Sequence, residues 1–412
     1  MAGRMIEIAA GDGGRFNGYL AVPEAGSGPG LVLGQEIFGI NATMRATADH
    51  FAEEGYVVLA PDLFWRIEPG IELGYSEEAF ATAFGHFERF DIDRSIEDIG
   101  AAMAALRALP ECTGEVGFMG FCLGGKLAYL AAARLDPAVS ISFYGVGLPD
   151  MLGEAGDIAC PMVFHCPELD QWMPPEGVAA LRDAFRDRTD VEIYSYPGAD
   201  HGFYNADREV FDKPSSSMAH SRTIAALRRA IGPVYDLNHL WDKHCEYEFI
   251  TRDVDATMAT MVPEPYVNHI PTMTGGVGYK NLHRFYLNHF VHANPEDTRL
   301  VPVSRTIGAD RVVDEMLFCF THDTEIDWLL PGVAPTGKYV ELPVVAIINF
   351  RGDKLYHEHI YWDQASVLVQ IGLLDPTGLP VGGQDVARKM LDATEVDSNR
   401  LMERWAESEP AE

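Results

Sequence analysis

Gly120-Phe121-Cys122-Leu123-Gly124-Gly125 is the stretch on which the fold of this chain turns. It follows an apolar run, Val116-Gly117-Phe118-Met119, that reads as a buried strand. It leads into Lys126-Leu127-Ala128-Tyr129-Leu130, which reads as a helix. A strand that passes at once into a helix needs small residues at the corner. Glycines at 120, 124 and 125 let the chain bend sharply and the helix approach the strand closely. Such a corner lifts the side chain of residue 122 to the carboxyl edge of a sheet, at a helix N-terminus whose positive end favours a thiolate. Glycine pairs also occur at ordinary strand-to-helix corners, and free cysteines are commonly buried. The pattern therefore gains its weight from its surroundings.

Outward from this corner, apolar runs at 31–33, 56–60, 115–119, 139–143, 162–165 and 191–196 predict buried strands. Helices fit between them: one capped by Asn41 and running to about Glu54, then 92–109, 125–135, 175–187 and 217–231. The stretch 92–109 places Ile96, Ile99, Met103, Ala104 and Leu106 at helical spacing. Regular strand–helix alternation predicts a mostly parallel sheet with helices on both faces. Around Gly232-Pro233-Val234-Tyr235-Asp236 the pattern changes. Segments 237–260 and 279–292 read as helices, and longer strand-like runs follow at 312–320, 344–350 and 354–362. Helices first and strands afterwards predict an α+β domain with an antiparallel sheet. The expected division is 1–232, 233–380, and a C-terminal helix and acidic tail over 381–412, frayed at Glu407–Glu412.

The chain has 412 residues, enough for two ordinary cores. Its 47% hydrophobic and 23% charged residues are those of a globular protein. A net charge of −31 repels nucleic acid and anionic membrane surfaces, so neither is expected as a partner. Six cysteines, at 112, 122, 160, 166, 245 and 319, include no C-x-x-C pair and form neither a disulfide framework nor a zinc motif. Met1-Ala2-Gly3-Arg4 does not open an apolar leader, and no apolar stretch is long enough to span a bilayer. A reducing, cytoplasmic location is expected, which suits a working thiol.

A cysteine nucleophile needs a base, a group to orient the base, and donors for an oxyanion. After the 162–165 strand, Cys166-Pro167-Glu168-Leu169-Asp170-Gln171-Trp172 places Asp170 in a loop at the strand's carboxyl end. After the 191–196 strand, Pro197-Gly198-Ala199-Asp200-His201-Gly202 does the same for His201. Taken alone, Asp170 reads as a turn or cap residue and His201 as a turn residue. The order nucleophile, acid, histidine, each at a strand end, predicts a catalytic group of Cys122, His201 and Asp170. After the 31–33 strand comes Gly34-Gln35-Glu36-Ile37-Phe38-Gly39-Ile40-Asn41, where a second oxyanion donor should lie and where Glu36 sets a carboxylate beside a thiol.

Gln-Glu-Ile-Phe-Gly-Ile-Asn at 35–41, Ala-Pro-Asp-Leu at 60–63, the corner at 120–125, Phe-Tyr-Gly-Val-Gly at 143–147 and Tyr-Pro-Gly-Ala-Asp-His-Gly-Phe at 196–203 together resemble the dienelactone hydrolase (carboxymethylenebutenolidase) family of α/β hydrolases. The resemblance covers about the first 235 residues. It implies a Cys122–His201–Asp170 triad and a Glu36 that contacts the resting thiol and takes part in its activation. It implies an oxyanion hole from the amides of Ile37 and Leu123. The implied reaction opens a lactone or activated ester through a cysteine thioester, as in the degradation of aromatic compounds, without a cofactor. Arginines hold the substrate carboxylate in that family. Here the first expected region reads Phe80-Ala81-Thr82-Ala83-Phe84, so Arg208, Arg66 and Arg89 are the candidates, with Tyr144 and Trp172 beside them.

Residues from about 237 to 375 resemble the SnoaL-like, or NTF2-like, α+β cone, through Phe320-Thr321-His322-Asp323, Asp327-Trp328-Leu329-Leu330-Pro331-Gly332 and His359-Ile360-Tyr361-Trp362-Asp363-Gln364. The resemblance implies a pocket lined by His322, Asp323, His359 and Asp363, although Asp363 also reads as the cap of a helix starting near Gln364. On a strand, His357 and His359 share one face and Glu358 takes the other. A metal there would need a third ligand on the histidine face, and none is expected. The second domain is expected to hold a ligand or to mediate a homodimer. The alternatives are that it is itself the catalyst, as a cyclase or isomerase, or that the chain is a non-catalytic binding or assembly module.

Overall fold

A computed structural model of the chain describes residues 3–408. Two compact units form, the first running to Val234 and the second starting at Tyr235. Residues 409–412, the end of the acidic tail, lie outside the described residues.

The first unit carries eight strands: β1 (Arg4–Ala9), β2 (Arg15–Ala21), β3 (Gly28–Gly34), β4 (Val57–Pro61), β5 (Cys112–Phe121), β6 (Ser140–Phe143), β7 (Met162–Pro167) and β8 (Val191–Tyr196). They form one sheet in the order β1-β2-β4-β3-β5-β6-β7-β8. From β4 to β8 neighbouring strands are parallel, and β1 and β2 join antiparallel at the edge. The parallel strands are nearly continuous apolar runs because helices bury both of their faces. The chain leaves β3 towards β4 on one side and β5 towards β6 on the other, which opens a crevice at the carboxyl ends of β3 and β5.

The second unit holds a six-stranded sheet made from β9 (Met261–His269), β10 (Thr274–Val277), β11 (Arg299–Ile307), β12 (Arg311–Thr321), β13 (Tyr339–Arg351) and β14 (Lys354–Trp362). The order is β10-β9-β14-β13-β12-β11. The sheet is mixed rather than antiparallel throughout, because β9 pairs parallel to β14. No hairpin links those two strands, so no tight turn dictates their relative direction. The predicted helices at 237–260 and 279–292 are each broken: Leu237–Cys245 and Tyr279–Phe285 pass into π-helical turns at Glu246–Ile250 and Tyr286–Phe290. Trp241, Phe285, Tyr286, Phe318, Trp328 and Leu342 belong to the core between these helices and the sheet. Among the described residues, no helix is long and apolar enough to cross a membrane.

Candidate active site

Cys122 stands between β5 and the helix Leu123–Arg134 with φ 55 and ψ −111. A side chain other than glycine's adopts that conformation only where its surroundings enforce it. Gly124 supplies much of the enforcement: its amide donates to the Gln35 carbonyl at 3.0 Å. A Cβ added to Gly124 would lie 2.3 Å from the Gly34 carbonyl oxygen, so the helix start touches the end of β3. The Cys122 amide donates to the Phe143 carbonyl at 3.0 Å, which ties the corner to β6. Leu123 opens the helix, and its amide is one of the N–H groups that a helix N-terminus leaves without an intrahelical acceptor.

Two further strand ends bring the partners. Asp170, 2% exposed in the loop after β7, presents Oδ2 to His201 Nδ1 at 2.8 Å. Its Oδ1 accepts from the Trp172 amide at 2.8 Å, which fixes the carboxylate's orientation. His201 lies in the loop after β8, next to the Cys122 sulfur. Burial alone would lower its pKa. The sulfur and Asp170 outweigh burial and hold it at about 10, so the imidazolium is strongly favoured while both neighbours are negative.

Glu36, just past β3, is buried and its pKa is raised, first by burial, with Arg208, His201, Asn205 and Tyr144 pulling it back. Its Oε2 accepts from Asn205 Nδ2 at 3.1 Å, and the same amide donates to the Tyr75 hydroxyl at 2.8 Å. Asn41 Nδ2 also reaches that hydroxyl, at 3.1 Å, while Asn41 Oδ1 caps the helix Ala42–Glu53. Asn205, Tyr75 and Asn41 thus hold the carboxylate in place. The sequence signals Asn41 only as a cap, and the three meet through tertiary geometry rather than spacing.

Glu36, Ile37, Cys122 and His201 open on one pocket of about 330 Å³. Its far wall is the helix Glu77–Phe87, which turns Phe80, Phe84 and Phe87 inward at i, i+4, i+7. The region expected to carry a cationic anchor instead presents an aromatic shelf. Of the five expected substrate contacts, Arg208 and Trp172 line the pocket, and the Arg208 guanidinium lies 5.4 Å from the centre of the Phe80 ring. Arg66 is a correction: its guanidinium forks onto Asp98 at 2.8 Å, reaches Asp12 at 2.7 Å and does not line the pocket. Arg89 is another, since it folds back onto the Gly85 carbonyl and His86 of its own helix end. Tyr144 sits behind the site, buried, with its ring 5.0 Å from that of His201.

In the second unit a small apolar cavity lies in the core, and His322, Asp323, His359 and Asp363 do not line it. His322 is buried against Thr336, and Asp323 is exposed. His359 lies on the opposite face of β14, beside His357 and Tyr266. Asp363 caps the helix Gln364–Gln370 through the amides of Ala365 and Ser366. Strand alternation turns Glu358 inward instead.

The strand order and the strained corner after β5 make the first unit an α/β hydrolase. The model of the dienelactone hydrolase family matches residues 16–231, and the chain belongs to that family. A putative carboxymethylenebutenolidase of Azospirillum brasilense is 37% identical over 232 residues, 55% of this chain and 99% of the relative. Carboxymethylenebutenolidase 1 of Cupriavidus pinatubonensis is 36% identical over 225 residues, 54% of this chain and 95% of its own length. Among solved structures, a putative dienelactone hydrolase from Klebsiella pneumoniae is 25% identical, with a TM-score of 0.48, over 56% of this chain and all of that one.

Proposed function

We propose that the first unit hydrolyses a lactone or activated ester through a thioester on Cys122. The observation that carries this reading is the strained Cys122 corner with His201 beside it and Asp170 bonded behind at 2.8 Å. His201 and the neighbouring Glu36 carboxylate control the thiol proton. The thiolate adds to the carbonyl carbon, and the amides of Ile37 and Leu123 hold the oxyanion; one such donor contributes on the order of 10²–10³ in rate. Collapse expels the ring oxygen or alcohol, which takes a proton from the His201 imidazolium. His201 then draws a proton from water, and the resulting hydroxide cleaves the thioester.

The pocket favours a mainly apolar, flat acyl group against Phe80, Phe84 and Phe87, with Arg208 as a cationic contact for an anionic or carbonyl oxygen. The carboxymethylenebutenolidase relatives are named for a butenolide, which supports a lactone as the ester. The second unit is proposed as an NTF2-like cone around its own cavity, serving as a ligand pocket or homodimer contact. A set of lactones and aryl esters, with and without a carboxylate, tests the hydrolase reading on wild type and Cys122→Ala. Turnover and an acyl adduct on Cys122 by mass spectrometry are expected in wild type only. Unchanged turnover by Cys122→Ala overturns the reading.

A further inference from the structure

Among the described residues two groups of side chains are placed to hold a metal ion. In one, His50, Glu54 and His220, the cation is already supplied, because Arg228 pairs with Glu54 at 3.0 Å. The other, His244, Glu248 and Glu358, is wholly buried in the core of the second unit, 0%, 3% and 3% exposed.

The hydrogen bonds around His244 fix its tautomer. Thr260 Oγ1 donates its single proton to the Thr257 carbonyl at 2.6 Å. The bond of 2.6 Å between Thr260 Oγ1 and His244 Nδ1 therefore runs from the imidazole, and Nδ1 carries a proton. That leaves Nε2 as the nitrogen facing the two carboxylates, 3.1 Å from Glu248 Oε1 and 3.2 Å from Glu358 Oε1. Beyond that contact with His244, the buried Glu358 Oε1 has no hydrogen-bond partner. One imidazole nitrogen and two carboxylates in a dry core call for positive charge at their centre, either a proton on Nε2 or a metal ion. One divalent ion neutralises the two carboxylates at once, where two protons are needed without it.

The spacing agrees. Donor atoms about 2.1 Å from one ion stand about 3.0–3.4 Å apart in octahedral or tetrahedral geometry. A histidine whose second nitrogen donates to a fixed acceptor is the usual form of a metal-bound imidazole. Glu248 reaches the centre from the π-helical turn Glu246–Ile250, and the second such turn, Tyr286–Phe290, brings Tyr286 close to both carboxylates. Single π turns inserted in helices commonly re-aim side chains at functional sites. Glu248 and Glu358 also line the cavity of about 50 Å³, walled by His269, Phe290, Phe318, Trp328 and Trp362, which has room for a few waters or a small oxygen-bearing ligand.

We propose that His244 Nε2, Glu248 Oε1 and Glu358 Oε1 bind one divalent first-row transition-metal ion, with its remaining positions open to the apolar cavity. The donor set, one nitrogen and two oxygens, suits Mn²⁺, Fe²⁺ or Zn²⁺. All three ligands belong to the second unit.

The test uses the full-length chain, stripped with a chelator and titrated with Mn²⁺, an ion that ignores the six thiols. One Mn²⁺ per chain is expected, bound equally by wild type and Cys122→Ala. Glu358→Gln and Glu248→Gln should each weaken it about tenfold or more. Nitrogen coupling from one imidazole in the electron spin-echo spectrum of the wild-type Mn²⁺ complex reads the ligand directly, so the outcome does not depend on either variant folding. Absence of a stoichiometric site, absence of the nitrogen coupling, or equal binding by variants with native near-ultraviolet circular dichroism overturns the proposal.

Discussion

At the scale of single residues, the Asp170–His201–Cys122 contact has a consequence for stability. Burial opposes charge on His201, but Cys122 and Asp170 raise its pKa from 6.5 to about 10. A base whose pKa is raised on folding adds stability that is complete below its unfolded value and is lost as pH rises through the folded one. Wild type should therefore lose more of its Tm between pH 6.5 and pH 10 than His201→Gln does, as read by differential scanning calorimetry. The three residues were legible in the sequence because each sits directly after an apolar run, in an order that few unrelated chains reproduce. Arg66 and Arg89 were misplaced for a related reason. A strand end fixes where a loop emerges, but nothing in the spacing reveals that Asp98 and Asp12 already hold one guanidinium, or that a helix end holds the other.

At the scale of elements, the nucleophile helix packs directly on the end of β3. A methyl group on Gly124 would press on the Gly34 carbonyl, a backbone atom that cannot swing aside. Gly124→Ala is expected to destabilise the unit by about 1–3 kcal/mol and to lower turnover, because the Cys122 corner hangs on the same contact. Urea unfolding and turnover measured together check this. Buried parallel strands were readable as continuous apolar runs, but β1, β2 and β11 were not. Arg4, Glu7, Arg15 and Asn17 interrupt the first two, and exposed residues recur along β11; β1 and β11 are edge strands, which bury little on their outer side. Pro263 and Pro265 hid β9, as prolines argue against a strand except at an edge or an irregularity. The aromatic face of Glu77–Phe87 was visible as spacing, yet its meaning depended on the pocket it walls.

At the scale of the whole molecule, a chain of net charge −31 holds a pocket lined in part by Arg208. An anionic substrate meets long-range repulsion that salt screens within about 10 Å at 0.1 M. For a carboxylate-bearing lactone, kcat/KM should rise with ionic strength, while for a neutral aryl ester of the same shape it should stay flat. Steady-state rates across a sodium chloride series read the difference. The change of pattern near Tyr235 was visible because strand–helix alternation stops there. The mixed direction of the second sheet was not, since β9 and β14 are neighbours only in space. Trp172 stands at the rim of the first unit's pocket, 46% exposed beside Phe84. An indole that sheds water when an acyl group docks emits at shorter wavelength, so the enzyme carries its own optical gauge of occupancy. Trp172→Phe should silence that gauge while turnover continues, as stopped-flow fluorescence set against product formation would show.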